Sequence, residues 1–344
     1  MKASFPTTAR LGLLVALFFA IARPAAGEET VTIRLGTILP SGTAQHALLQ
    51  ELGERWREES GGTVKLVLYP DGRLGGESEM VKKLRIKQIN AALFSVTGLK
   101  EIDSTVAGLQ LLPRMFHSWE EVDYVREHVR TQLEQRLHAK GFEVLCWADA
   151  GWVQFFSKTP ATRPVEFSKM KMFAWAGDDQ QLAMMQSVDF NPVPLETSDI
   201  LMGLNTGMIT TVALPPFAAL AGRVNTAAPH LLDMKWVPMV GAIIVRTEAW
   251  EKIPPATRAK MLAAAEETGA KLRERGRRDS EDCVRVMQQH GLQVHQPSPA
   301  DEKEWQAFST LLCSKVRGTL VPADIFDAVE RHLREYRAAH GEQP

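Results

Sequence analysis

The sequence predicts an α/β fold in two units, on three patterns. Strand and helix periodicities alternate from residue 31 to residue 96. A second alternating set begins near Gly151. A nearly continuous helical stretch of about 35 residues follows both.

Val31, Ile33 and Leu35 alternate with Thr32 and Arg34, the period of a strand. Residues 36–42 are a loop of Gly, Pro and Ser. A helix then places Leu48, Leu52 and Trp56 on one face and ends at Gly61-Gly62. Val64, Leu66 and Leu68 mark a second strand, and Asp71-Gly72 to Gly75-Gly76 a turn. Residues 77–89 read as helix and 91–96 as an apolar strand. Strand, helix, strand, helix, strand is the order of a parallel sheet with crossover helices. Residues 118–140 form a helix whose Ser118 and Glu121 have capping-box spacing, with Gly141 as the stop. Residues 144–147 return as a strand. In the second unit, strands fall at 154–157, 171–175 and 208–214, and helices at 180–187, 198–205 and 216–221. The apolar run 242–246 is a strand returning to the first sheet. Pro254-Pro255 open the long helix, Gly291 closes it, and Gly269 and Gly276 are its expected kink points. A helix this long must run across both units. Residues 301–340 are helical too.

A length of 344 residues suits two domains of about 150. Lys and Arg number 40 against 41 Asp and Glu, a balance that argues against a dedicated nucleic-acid binder. Three cysteines are too few for a disulfide scaffold, and no CxxC pair offers a zinc site. Cys146 sits in an apolar run and reads as core; Cys283 and Cys313 either pair or stay reduced. At the N-terminus, Lys2 and Arg10 precede the apolar run Leu11 to Ala22, and Ala25-Ala26-Gly27 supplies small residues. Twelve residues give about 18 Å of helix against a hydrocarbon core of about 30 Å, so residues 1–27 read as a cleaved secretory signal. The expected compartment is the periplasm.

Catalytic patterns do not appear: there is no GxSxG, HExxH, GxxxxGK[ST] or GxGxxG. The nine histidines are scattered, and His46, His117, His128 and His138 read as surface or capping residues. Asp178-Asp179 after Gly177 suggests a helix start. The basic run 271–278 (KLRERGRR) reads as a solvated helix face. The expectation is a binding protein, with no enzyme activity, no cofactor and no metal.

Several blocks carry a resemblance. RLGTILPSGTAQHALLQELGERW, GGTVKLVLYPDGRLGGESEMVKKLRIKQINAALF, LQLLPRMFHSWEEVDYV, NPVPLETSDILMGLNTG and GAIIVRTEAWEKIPP follow one another in the order found in the substrate-binding proteins of TRAP transporters, the DctP-like family. The resemblance implies a two-lobed periplasmic binding protein fold with crossing hinge strands and a long spanning helix. It also implies a receptor that closes on a small-molecule ligand and delivers it to the TRAP membrane permease subunits. On this reading lobe I holds residues 28–150 plus about 240–278, lobe II holds 151–239 plus about 279–344, and the helix at about 255–290 spans both.

The departures from the family concern the ligand. Members bind a carboxylate through an arginine in a strand reading roughly G-L-K-I-R, a fork suited to bidentate pairing. Here the matching segment is Lys169-Met170-Lys171-Met172-Phe173, which puts Phe173 at the arginine position. Val153, Leu214 and Ile38 similarly occupy positions of other polar contacts. A buried carboxylate without a cation is strongly disfavoured. The resemblance therefore implies an apolar cleft lined by Ile38, Trp152, Val153, Phe173, Trp175, Leu214 and Phe217, and a hydrophobic or amphipathic ligand. The alternatives are an organic acid held by a relocated cation (Arg114, Arg163, Lys171 or Arg223) or a lipid shuttle or sensor without a permease. The apolar pattern resembles the family branch that works with a periplasmic TPR-repeat protein. Eight of the thirteen methionines lie between Met170 and Met239, which suits either core packing or an adaptable apolar site.

Overall fold

A computed structural model of the chain describes Met1 and residues 30–341. The leader expected at residues 1–27 lies almost wholly outside the described residues. The first part of the chain runs β1 (Val31–Thr37), α1 (Ala44–Glu59), β2 (Val64–Tyr69), α2 (Glu77–Arg85), β3 (Ala91–Ser95), α3 (Val96–Lys100), a 3-10 segment (Ser104–Leu109), α4 (Trp119–Ala139) and β4 (Phe142–Trp152). Next come β5 (Gln154–Ser157), α5 (Pro164–Ser168), β6 (Lys171–Trp175), α6 (Asp179–Gln186), β7 (Asn191–Leu195), α7 (Ile200–Thr206), β8 (Thr211–Leu214), α8 (Pro216–Ala221) and β9 (His230–Leu232). The last part is β10 (Pro238–Arg246), α9 (Thr247–Trp250), α10 (Pro255–Gln289), β11 (Gln293–His295), α11 (Pro299–Val316) and α12 (Ala323–His340).

Two sheets result, ordered β2-β1-β3-β10-β4 and β11-β9-β5-β8-β6-β7. In the first, β1 is parallel to β2 and β3, while β10 runs antiparallel to β3 and β4. The run at 242–246 does return to the first sheet, as part of β10. Alternation sends Val240, Ala242 and Ile244 to the face covered by α2, α4 and α12, and Ile243 and Val245 to the face covered by α1 and α10. The second sheet likewise divides Phe156, Phe173 and Val212 from Phe155 and Met172.

Several expectations need correction. The strand at 144–147 extends to Phe142–Trp152, because it leaves the first sheet and feeds β5 of the second. β7 lay unread because Pro192 and Pro194 mask it; it survives as an edge strand, where a missing N–H costs least. The capping box at Ser118 is half formed. Ser118 Oγ accepts from the Glu121 amide, but Glu121 Oε2 accepts from the His117 amide (2.6 Å), and its carboxylate is held by Arg337 of α12 at 2.7 Å. That pair, with Ile325, Phe326, Val329 and Leu333, fastens α12 to the first sheet's core. The tail of the chain is therefore shared: α11 packs on the second sheet through Trp305, and α12 on the first. Cys146, Cys283 and Cys313 are all free, and burial pushes the Cys283 and Cys313 thiols up to about 11.

The glycines of α10 are contact points, and the helix is continuous from Pro255 to Gln289. A Cβ at Gly269 would lie 2.6 Å from Cys146 Cβ and 2.8 Å from the Trp147 carbonyl oxygen. At Gly276 it would overlap the Asp149 carbonyl. The helix thus lies directly on β4. The basic run is correspondingly solvated only in part: Lys271 and Arg278 are exposed, whereas Arg273 and Arg277 turn into the seam. Arg273 donates to the Trp147 carbonyl at 2.9 Å, and Arg277 pairs with Asp149 at 2.5 Å and Asp123 at 2.6 Å. Arg126 of α4 meets Asp149 from the other side at 2.8 Å, and Asp149's side chain is fully buried. Burial alone would raise the Asp123 carboxyl, but the hydrogen bond from Arg277 and the charges of Arg126 and Arg277 outweigh it, and the group titrates below the ordinary carboxylate value.

Two predictions follow from this seam. Gly276→Ala should destabilise the protein by about 1–3 kcal/mol in urea titration, although alanine favours helix by about 1 kcal/mol, because the overlap is with backbone. An unchanged or raised midpoint would show that the helix stands off the strand. The Asp123 clamp contributes fully above the unfolded carboxylate value of about 3.9 and is lost as pH falls through the lower folded value. Asp123→Asn should therefore flatten the loss of stability as pH falls below about 4, measured by acid titration of the circular dichroism signal.

Candidate functional site

Parallel strands of an α/β sheet end at crevices outside their carboxyl ends, where ligands usually bind. Here the ends of β1, β3, β6 and β8 face one another across the two sheets. Thr37, Ser95, Trp175 and Leu214 are their last residues, and all four line one cavity of about 450 Å³. β4 and β10 add Ala148–Ala150 and Met239–Gly241 from the hinge, and α8 adds Phe217. A volume of this size is usual for a small-molecule site.

The charged groups in its wall are Asp71, Glu77, Asp149 and Arg223. The three acids have partners already. Asp71 accepts from the Ser41 amide at 2.7 Å, which holds its carboxyl below the usual range. Glu77 accepts from the Ser95 amide and hydroxyl and the Gly98 amide, each at 2.7 Å, capping α3; burial nevertheless pushes its carboxyl up. Asp149 belongs to the arginine clamp. Arg223 differs. It follows α8 in the left-handed region (φ 55), is exposed, and its guanidinium makes no hydrogen bond or ion pair among the described residues.

Of the residues expected to line the cleft, Ile38, Trp175, Leu214 and Phe217 meet in this cavity. Val153 and Phe173 line a second cavity of about 160 Å³. Trp152 lines neither; it ends β4 on the face covered by α4, packs at a tilt against Trp119 with centroids 4.8 Å apart, and lies under Lys235. Three of the four candidate cations are engaged: Arg114 pairs with Glu302 (2.6 Å), Arg163 with Glu304 (2.7 Å), and Lys171 donates to the Gly207 carbonyl (3.2 Å). Arg223 alone of the four is in the cleft wall.

One element escaped sequence reading. Lys100, ending α3 in the first lobe, pairs with Asp178 in the second at 2.6 Å, with side chains only 6% and 3% exposed. Asp178 is also the N-cap of α6, accepting from the Gln181 amide as its position after Gly177 suggested. Neither residue carries a pattern that announces a partner 78 positions away.

A model for bacterial extracellular solute-binding proteins of family 7, DctP, matches residues 35–317. The chain belongs to this family, the substrate-binding proteins of TRAP transporters. The C4-dicarboxylate-binding periplasmic protein DctP of Rhodobacter capsulatus is 23% identical over 313 residues, covering 87% of this chain and 91% of its own. The 2,3-diketo-L-gulonate-binding periplasmic protein YiaO of Escherichia coli is 22% identical over 311 residues, with the same coverage of 87% and 91%. Among solved structures, a TRAP periplasmic solute-binding protein of Haemophilus influenzae with bound L-gulonate superposes with a TM-score of 0.80 at 19% identity, covering 88% of this chain and 99% of its own. One from Shewanella oneidensis with bound succinate gives 0.81 at 17%, with 88% and 99% covered. At these identities the superpositions establish the two-lobed fold, and the ligands belong to those proteins.

The Lys100–Asp178 pair joins the lobes, so its loss should act on closure. In Lys100→Met, a buried carboxylate without its cation costs about 3–5 kcal/mol wherever the lobes meet. We expect a larger radius of gyration by small-angle scattering, with the thermal midpoint little changed. A collapsed midpoint with unchanged dimensions would make the pair a folding element instead.

Proposed function

We propose that this family member is an exported receptor, freed of residues 1–27 in the periplasm, that captures an amphipathic carboxylic acid and delivers it to a TRAP permease. The supporting observation is the cavity's wall: largely apolar, with every carboxylate already partnered and one cation, Arg223, left unpaired among the described residues. A cation at the cavity wall recruits an anion, and a guanidinium matches a carboxylate bidentately. The apolar wall recruits hydrocarbon at about 25 cal/mol per Å² buried. Relatives named for C4-dicarboxylate and diketogulonate agree with the acidic end. Phe173 in place of the family's arginine supports an acid that carries more hydrocarbon than theirs. β4 and the segment leading into β10 cross between the sheets side by side and are the natural hinge for lobe closure. A periplasmic TPR-repeat partner rests on the apolar cleft alone.

Mass spectrometry of small molecules released by denaturing the purified protein is the direct test. An acid with an apolar body at stoichiometric yield supports the reading; a compact polyhydroxy acid overturns the apolar half of it, and a neutral lipid the acidic half. For the acid recovered, Arg223→Gln should weaken binding about 10- to 100-fold by calorimetry, the range of a charge-assisted hydrogen bond. Undiminished affinity would place the carboxylate elsewhere.

A further inference from the structure

The second cavity has no role in the reading above. It lies beside the first, and Trp175 and Met239 are in the wall of both. Its volume, about 160 Å³, is close to the roughly 150 Å³ of an engineered apolar cavity that stays dry and binds benzene. The cavity is half open, so a group can enter it without unfolding its wall.

The wall is made for an occupant of irregular apolar shape. Met172, Met184, Met185 and Met239 contribute to it, and thioether chains repack around varied surfaces. Phe173 also lines it, so the residue standing where the family has its arginine makes a wall of hydrocarbon. Leu111 and Pro113 enter from the first lobe, so the cavity is complete only when the lobes meet. Two amide side chains interrupt the apolar surface. Gln110 Oε1 accepts from the Val240 amide at 3.0 Å. Gln181 Oε1 is buried with no partner among the described residues. A buried acceptor left unmatched is costly, and turning the Gln181 amide toward a donor on the occupant would remove that cost.

We propose that this cavity receives a ring-sized apolar group bearing one hydrogen-bond donor, such as a phenolic ring, reached from the main cleft past Trp175 and Met239. The identity of the rest of the solute, an acid on Arg223, rests on the amphipathic reading above; the pocket does not. The solute class is thereby narrowed to hydroxyaryl-substituted acids, whose ring completes the contact between lobes while the carboxylate stays in the first cavity.

The test uses the full signal-cleaved protein with 13C-methyl methionine and three probes: benzene, phenol and 3-(4-hydroxyphenyl)propionate. Phenol should shift the Met172 and Met184 methyl signals saturably and bind at least threefold more tightly than benzene. Gln181→Leu should remove that preference. Met184→Trp, which fills the cavity, should abolish both probes' shifts; Met185→Phe serves as a second filling variant if the first fails to fold. The hydroxyphenyl acid should bind at least tenfold more tightly than phenol, and Arg223→Gln should remove that gain while leaving the methionine shifts. Absence of saturable shifts with phenol, or shifts that persist in the filled variants, would overturn the pocket and leave the amphipathic reading standing. Shifts with phenol but no gain for the acid would overturn that reading and leave the pocket.

Discussion

Where Gly276 of α10 meets the carbonyl of Asp149 on β4, two backbones touch with no side chain between them. β4 is the strand that leaves the first sheet and becomes β5 of the second. α10 makes the same passage: its start is fixed to the first lobe, where Trp56 donates to the Met261 carbonyl at 2.9 Å, and its end enters the second through Met287. Helix and strand are thus two parallel ties between the same lobes. The arginines of α10 and α4 close on Asp149 from opposite sides, which neutralises a carboxylate that burial would otherwise make very unfavourable. The contact continues past 149, because Gly151 (φ 104) also lies against α10 at Gly276 and Ser280, where a side chain would not fit.

The cleft inherits its position from that arrangement and its chemistry from what the arrangement leaves over. The strand ends supply small and apolar residues, and the acids among them are consumed by structural work: Glu77 caps α3, Asp71 ties the loop after β1, Asp149 anchors the seam. On the proposed reading, a cation at the end of α8 in place of one on β6 has a physical consequence. At position 173 an arginine would be buried among Phe156, Leu214 and Trp175, and would demand a ligand anion to be tolerable. At position 223 it is solvated when the cleft is empty, so its charge costs little without ligand. Binding then gains less from relieving a buried charge and more from covering hydrocarbon.

The fold was legible where periodicity and punctuation agree. The β1 alternation, the stripe Leu48, Leu52, Trp56 and the run Pro254 to Gly291 each reflect a local rule, and each appears as read. Cavity-lining residues were legible where strand order fixes them: Ile38, Trp175, Leu214 and Phe217 sit at or just beyond strand ends. Trp152 failed by alternation, since its neighbour Val153 points to the other side of the chain. Gly269 and Gly276 were read as kinks because a sequence shows a missing side chain but not the strand that needs its absence. The basic run misled for the same reason: Arg277's partners lie more than a hundred positions away. Long-range pairs such as Lys100 with Asp178 leave no local trace at all.

That last pair bears on how the protein decides to close. Its charges are buried where the lobes meet, parting the lobes would hydrate them, and a buried ion pair returns little more than its desolvation costs. It therefore penalises misaligned closure heavily, since either charge alone in the seam is expensive, while adding little to the net free energy of correct closure. Such a contact sets geometry and leaves the equilibrium to other terms. On the proposed reading, what remains to tip it is hydrocarbon: the walls of the two cavities are apolar surface that an occupant would cover. A ligand shifts the open–closed balance only by its differential affinity for the two states. An occupant touching both lobes has that difference built in, and one confined to either lobe does not.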